Sequence, residues 1–152
     1  IVIFSEKLND FKKSSEKNFF IFTPGEYETK NIFIFGFPHF EKNGLKTIYR
    51  IEGEGIRICF LGEISKNLSD EEIENLGEID ILILPISIKD CLDLINRIEP
   101  SIVIPSDWKK EKDLDSFFKE FGFKKEPLEK LKIKKRDIQK EKIEFTPLKI
   151  YG

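Results

Sequence analysis

Few side chains in this sequence are of a type that commonly performs chemistry. The chain has one histidine, His39, and two cysteines, Cys59 and Cys91. A zinc site needs several nitrogen or sulfur ligands, so a single histidine cannot build one. Both cysteines stand in segments that read as structured elements, where cysteine usually behaves as a small buried residue, and we expect reduced thiols. These residues predict neither a zinc centre nor a disulfide framework.

Positive charge is concentrated in residues 124–142, which hold nine basic and four acidic residues. The most basic part consists of Lys132, Lys134, Lys135 and Arg136, which could contact the phosphates of a nucleic acid. The alternative is a solvated face whose lysine stems cover apolar surface. The segment lacks interleaved aromatic residues and a glycine loop, which leaves nucleic-acid binding as an alternative only.

The composition describes one folded domain. With 152 residues, 39% of them hydrophobic, and a formal net charge of −2, the chain can bury a core but has no bulk charge to attract a nucleic acid or a membrane surface. No apolar run approaches the length of about 20 residues that crosses a bilayer, and no signal peptide opens the chain. We therefore expect a cytoplasmic protein.

The second half of the chain alternates between strands and helices. A helix follows Ser69, an N-cap with Glu72 three residues on, and ends at Gly77. Residues 87–98 and 114–121 predict two more helices from their apolar spacing. Residues 79–85 and 102–104 are apolar throughout, which predicts two adjacent strands buried on both faces.

The first half is rich in strands. Residues 1–4 read as a buried strand, and residues 46–52 and 56–61 predict a hairpin around Gly53, Glu54 and Gly55. Because the first residues already read as strand, we expect a further part of the fold upstream. Together the two halves predict an α/β fold in which helices cover a sheet.

Four segments in order resemble the small stand-alone bacterial hydrolases of the metallo-β-lactamase superfamily. They are PGEYE with IFI after it, TIYRIE with GIRI and LGE after it, LGEIDILILP, and EPSIVIP. The resemblance implies an αββα sandwich, partial or degenerate here, in which residues 1–152 are one domain corresponding to the C-terminal two-thirds of the fold. In that family, histidines and a bridging carboxylate hold zinc-like ions that activate water.

The resemblance also implies which residues occupy the family's ligand positions. In the first motif, Asp10 matches, while Glu6, Leu8 and Phe11 replace histidines. The other ligand positions fall on Glu41, on Glu63 in place of the bridging aspartate, and on Asp107, with His39 at the place of a serine. No histidine ligand remains, and His39 would be either an ordinary histidine on the surface or beside the site, or a residual ligand if the loop shifts by two residues.

Zinc is therefore not expected, and we expect no cofactor. The five carboxylates Glu6, Asp10, Glu41, Glu63 and Asp107 would be gathered by the fold, and they could instead hold a hard cation such as Mg²⁺, Mn²⁺ or Ca²⁺. The alternative is a relaxed site whose side chains point to solvent, neutralised by Lys7 or Lys42.

These replacements favour a catalytically silent protein that serves as a binding or structural module. An active metal-dependent hydrolase with an altered, carboxylate-rich site is the first alternative. A nucleic-acid-associated protein that uses the basic residues 124–142 is the second.

The resemblance further implies an open sheet edge, because in the family a β-rich portion precedes the strand that residues 1–4 resemble. Exposed edges and bare apolar surface favour association with another chain. We expect a homodimer, a partner chain that completes the sandwich, or upstream residues in that place. No membrane partner is expected.

Overall fold

The computed structural model describes residues 2–3 and 20–149, which form nine strands, three α-helices and a short 3-10 helix at Lys135–Asp137. The strands are β1 (Val2–Ile3), β2 (Phe20–Ile21), β3 (Gly25–Thr29), β4 (Ile32–Glu41), β5 (Gly44–Gly53), β6 (Ile56–Phe60), β7 (Ile81–Pro85), β8 (Ile102–Ser106) and β9 (Glu144–Phe145). The helices are α1 (Asp70–Leu76), α2 (Cys91–Ile98) and α3 (Glu111–Phe121). Within these residues, no helix is long and apolar enough to span a membrane.

Seven strands form one sheet whose spatial order, β3 to β9, follows the order of the chain. Strands β3 to β6 pair antiparallel, whereas β6 to β9 pair parallel. Strands β1 and β2 form a separate parallel pair. The α/β fold predicted from the alternation of apolar strands and helices is confirmed.

The adjacency of the two apolar strands is also confirmed. Residues Ile81 to Pro85 of β7 pair in parallel register with Ile102 to Ser106 of β8. Most of these residues are buried, while Ile83 and Ile104 at the middle are half-buried. Their hydrophobic side chains on both faces explain why these segments are apolar without alternation.

Capping residues define the helix ends that the sequence indicates. Ser69 caps α1 in a capping box with Glu72, and Gly77 follows the last turn with a φ of 66°. Gly122 follows α3 with a φ of 75°, a conformation that glycine adopts readily. Helix α2 begins at Cys91 rather than near Ser87 because residues 86–90 form turns.

The helices cover one face of the sheet, which we call the helix face. Its core joins Ile48, Cys59, Leu82 and Val103 of the strands to buried residues of all three helices. This cluster contains most of the buried apolar side chains. It fixes where the ends of the strands lie, and therefore where the loops after them meet.

The opposite face of the sheet carries two smaller clusters. Ile21 of β2 packs with Ile34 and Tyr49 near one end. The other cluster consists of Ile56, Ile81 and Ile102, against which partly buried residues of the segment 131–138 pack. The small sheet and the C-terminal segment thus each cover part of this face.

Candidate functional site

The parallel strands bring three of the predicted site positions to one edge of the sheet. Strand β4 runs in the same direction as β6, because both pair antiparallel with β5. Glu41 ends β4, Glu63 follows β6 and Asp107 follows β8, so all three lie at the edge where the parallel strands end. Glu6 and Asp10, the other two predicted positions, lie outside the described residues.

The side chain of Glu41 binds the backbone of a neighbouring loop. Its side chain is 6% exposed, and its Oε1 atom accepts hydrogen bonds from the backbone N–H of Ser65 at 2.6 Å and of Lys66 at 2.7 Å. The Ser65 hydroxyl donates to the same oxygen at 3.2 Å. Burial raises the pKa of Glu41, but these hydrogen bonds and the nearby His39 together hold it below its usual value. The Glu41 side chain therefore points toward this loop and not toward solvent.

His39 lies beside Glu41 on the same face of β4 and is fully buried, so it is not a surface histidine. Its Nδ1 atom donates to Oε1 of Glu72 at 2.6 Å, since an ionised carboxylate can only accept. The Nε2 atom lies 3.6 Å from Glu41 Oε1 and has no hydrogen-bond partner within the described part of the chain. His39 thus stands between two carboxylates.

Glu72 is a member of this cluster that the sequence predicted only as a helix cap. Its Oε2 atom accepts from the N–H and the hydroxyl of Ser69 at 2.7 and 2.9 Å, which leaves Oε1 for His39. Burial raises the pKa of Glu72, while the bonds from Ser69 and His39 lower it, and the net shift is downward. The capping box was the only signal in the sequence, and it gives no reason to place Glu72 beside His39.

Glu63 and Asp107 are both exposed. Asp107 has a φ of 59°, and its Oδ2 atom accepts from the hydroxyl of Ser87 at 3.4 Å. Glu41 and Glu72, the two carboxylates that face His39, are half-buried instead. In residues 2–3 and 20–149, no three histidine, cysteine or acidic side chains form a group that could hold a metal ion.

The described donor set does not fit the zinc centre that the resemblance implies. Zinc in a hydrolytic site is held largely by imidazole nitrogens with one position open to water. At this edge the described ligand positions offer carboxylates only, and the Oε1 atom of Glu41 already accepts three hydrogen bonds. The Nδ1 atom of His39 is bonded to Glu72.

The basic segment is extensively ion-paired. Lys135 binds the buried Asp80 through both carboxylate oxygens, at 2.7 and 2.8 Å. Lys124, Lys125, Arg136 and Lys140 each have an acidic neighbour within 4.0 Å. Lys132 and Lys134 are exposed. Since much of the positive charge has a partner on the protein itself, the segment offers no specific support for nucleic-acid binding.

Comparisons with known proteins agree with this fold. A model of the beta-lactamase superfamily domain matches residues 1–107. A structure from Thermotoga maritima, provisionally assigned as a Zn-dependent hydrolase of the metallo-beta-lactamase superfamily, superposes with a TM-score of 0.69 and 25% identity, covering 97% of this chain and 81% of the other.

A second structure shows likeness of fold alone. It is the metallo-beta-lactamase fold protein YhfI from Bacillus subtilis, with a TM-score of 0.51 and 10% identity, covering 83% of this chain and 50% of the other. No curated protein matches the chain.

Proposed function

This chain belongs to the beta-lactamase superfamily, and within that family we propose that it keeps the fold as a binding or structural module without hydrolytic activity. The observation that carries this proposal is the use of Glu41. A residue at a ligand position of the family instead accepts three hydrogen bonds from Ser65 and Lys66. This contact joins the end of β4 to the loop after β6, which is a structural role.

The neighbouring groups support the same conclusion. His39 is buried and bonded to Glu72, so the single histidine also contributes to structure. A water-activating metal would need several donors directed at one point. Here Glu41 is directed at backbone groups, Asp107 at a serine hydroxyl and His39 at Glu72.

Metal-dependent thermal unfolding and hydrolysis together test this proposal. Protein purified without chelator is measured with Zn²⁺, Mn²⁺, Mg²⁺ or Ca²⁺, and assayed on chromogenic ester, phosphodiester and β-lactam substrates. We expect no saturable rise in melting temperature and no metal-dependent turnover. The Glu41→Gln variant should unfold more easily with or without metal, because its role is the hydrogen bonding of the loop.

The matched variant is Asp107→Asn, at an exposed ligand position. It should leave both stability and metal response unchanged. Metal-dependent hydrolysis that disappears in both Glu41→Gln and Asp107→Asn would overturn the proposal, and would establish the alternative of a hydrolase with a carboxylate-rich site.

We also propose that the structural module associates with a second copy of itself. Phe40 and Leu45 are directly opposite each other at the end of the β4–β5 hairpin. They are 69% and 47% exposed, which leaves two large apolar side chains together in solvent. Such a pair is self-complementary, because in a two-fold contact each chain's Phe40 can cover the other's Leu45.

A further inference from the structure

A groove of about 800 Å³ lies at the end of the sheet opposite Glu41. It is bounded by the β3–β4 turn, the β5–β6 turn and the segment 131–133. Its apolar walls are Ile32, Ile51, Ile58, Leu131 and Ile133, above the buried Ile81. We call this the isoleucine groove.

The walls of the isoleucine groove are incompletely covered. Ile32, Ile51 and Ile58 are half-buried, as are Leu131 and Ile133 on the opposite wall. Each partly exposed side chain leaves apolar area in water, and burial of that area by a ligand is favourable. A ligand that fills the groove would gain this free energy from several side chains at once.

Two lysines line the groove. Lys30 comes from the β3–β4 turn and Lys132 from the C-terminal segment. Glu54 is the one acidic residue among the lining residues. Neither lysine has an ion-pair partner among the residues that the structure describes, whereas Lys135 nearby is bound to Asp80.

A salt bridge holds the wall of the groove that is formed by the C-terminal segment. Asp80 is 6% exposed and accepts from the N–H of Arg57 at 2.9 Å as well as from Lys135. Through this salt bridge the segment 131–138 is attached to the start of β6 and to the residue before β7. Two residues of this segment, Ile133 and Ile138, pack on Ile56, Ile81 and Ile102 of the sheet. The two walls therefore hold their separation, which favours a preformed site.

We propose that the isoleucine groove binds a single-chain amphiphile with an anionic head, of the medium-chain fatty acid class. The hydrocarbon chain lies against the isoleucines, and the carboxylate lies at the mouth between Lys30 and Lys132. The volume falls in the range of about 300–1,000 Å³ that is usual for small-molecule sites. This site is separate from the Glu41 edge, so it does not depend on whether the protein hydrolyses anything.

Isothermal titration calorimetry with three ligands of equal chain length tests the proposal. The ligands are decanoate, decanol and decyltrimethylammonium, each below its aggregation concentration. We expect decanoate to bind one per chain, with at least tenfold higher affinity than the cationic ligand. Equal affinity for the anionic and cationic ligands, or no binding of decanoate, would overturn the proposal.

Two charge-reversal variants test whether decanoate binds in the groove. Lys132→Glu should weaken decanoate binding about tenfold or more, which corresponds to at least about 1.4 kcal/mol. Lys142→Glu is the matched control, because it makes the same charge change in the same basic segment away from the groove, and its affinity should equal that of the wild type. An equal loss in both variants would mean that the attraction is general and that the groove is not the site.

A substitution that fills the groove tests whether the groove is a ligand site or a contact between two copies of the chain. Ile58→Trp should abolish decanoate binding while circular dichroism shows an unchanged fold. If Ile58→Trp does not fold, the Lys132→Glu variant, at an exposed position, provides the test. Light scattering follows the oligomeric state of both. If Ile58→Trp alters the oligomeric state and the wild type takes up no decanoate, the groove is an interface between copies and the proposal fails.

Discussion

The Nδ1 atom of His39 lies 2.6 Å from the Oε1 atom of Glu72, although 33 positions separate the two residues in the chain. The contact joins strand β4 to the first turn of α1. Glu72 also caps that helix through Ser69, so one carboxylate holds both a helix terminus and a strand. Beside it, Glu41 holds the loop between β6 and α1.

Removing either partner should destabilise the protein through this contact. We expect His39→Gln and Glu72→Gln each to lower the free energy of unfolding by about 1.5–3 kcal/mol, as for hydrogen bonds to charged groups. The double variant should cost less than the sum of both. Urea unfolding of the four proteins measures the coupling energy, which we expect to exceed about 0.5 kcal/mol.

The control for that cycle is Glu71→Gln. Glu71 lies next to Glu72 in the first turn of α1 and is exposed, so the same chemical change there removes no contact to His39. Additive effects of His39→Gln and Glu72→Gln would show that the short distance carries no interaction energy.

Acid should unfold the protein through Glu41 and Glu72. The pKa of each carboxylate is lowered in the fold from an ordinary value of 4.5. A lowered pKa means that the stabilisation is complete above the unfolded value and is lost as pH falls through 4.5 toward the folded pKa. Unfolding free energies at pH 7, 5, 4 and 3 should fall mainly below pH 5. Glu41→Gln should fall less steeply than the wild type, and an unchanged slope would contradict this assignment.

Arg50→Lys should weaken the end of α1. The Nη1 atom of Arg50 donates to the carbonyl oxygen of Leu76 at 2.7 Å, and the guanidinium lies 4.6 Å from the centre of the Phe35 ring. Lysine lacks the planar group that makes both contacts, so we expect a loss of about 1–2 kcal/mol in thermal unfolding. Arg136→Lys, where the side chain is 78% exposed, should change nothing measurable. Equal effects would refute the special role of Arg50.

The two thiols should be unreactive in the native protein. Burial raises the pKa of Cys59 to about 12, and burial also raises the pKa of Cys91. Since the thiolate is the reactive form, an aromatic disulfide reagent should label neither residue at pH 8 within minutes, and both in urea. Rapid labelling of one thiol without denaturant would show that its surroundings open to solvent.

The proposed association predicts a concentration-dependent dimer. Phe40→Asp places a charge at the centre of the exposed pair and should give a monomer in light scattering, with no loss of secondary structure. Phe33→Asp is the control, since Phe33 is 43% exposed on the other face of the same strand. A monomeric wild type at high concentration would exclude this contact.

Local signals predicted the elements well, because their causes are local. The apolar runs in β7 and β8, the cap at Ser69 and the glycine at Gly122 each act within a few residues of themselves. Strand β4 runs through Pro38 to Glu41 and so continues beyond the apolar residues at its start. It does so because register with β5, a property of the partner strand, continues the pairing to Gly44.

The composition and order of segments by themselves determined that this chain has an α/β fold, and its single histidine limits the nitrogen ligands that it can offer to a metal. Only the tertiary structure decided what the remaining polar groups do. Glu41 accepts hydrogen bonds from the N–H groups of Ser65 and Lys66. His39 is bonded to Glu72. Asp80 binds Lys135, which is 55 positions away in the chain. Strand pairing and helix packing bring these partners together, because a hydrogen bond needs its two atoms within about 3 Å of each other. Spacing along the chain carries no such information.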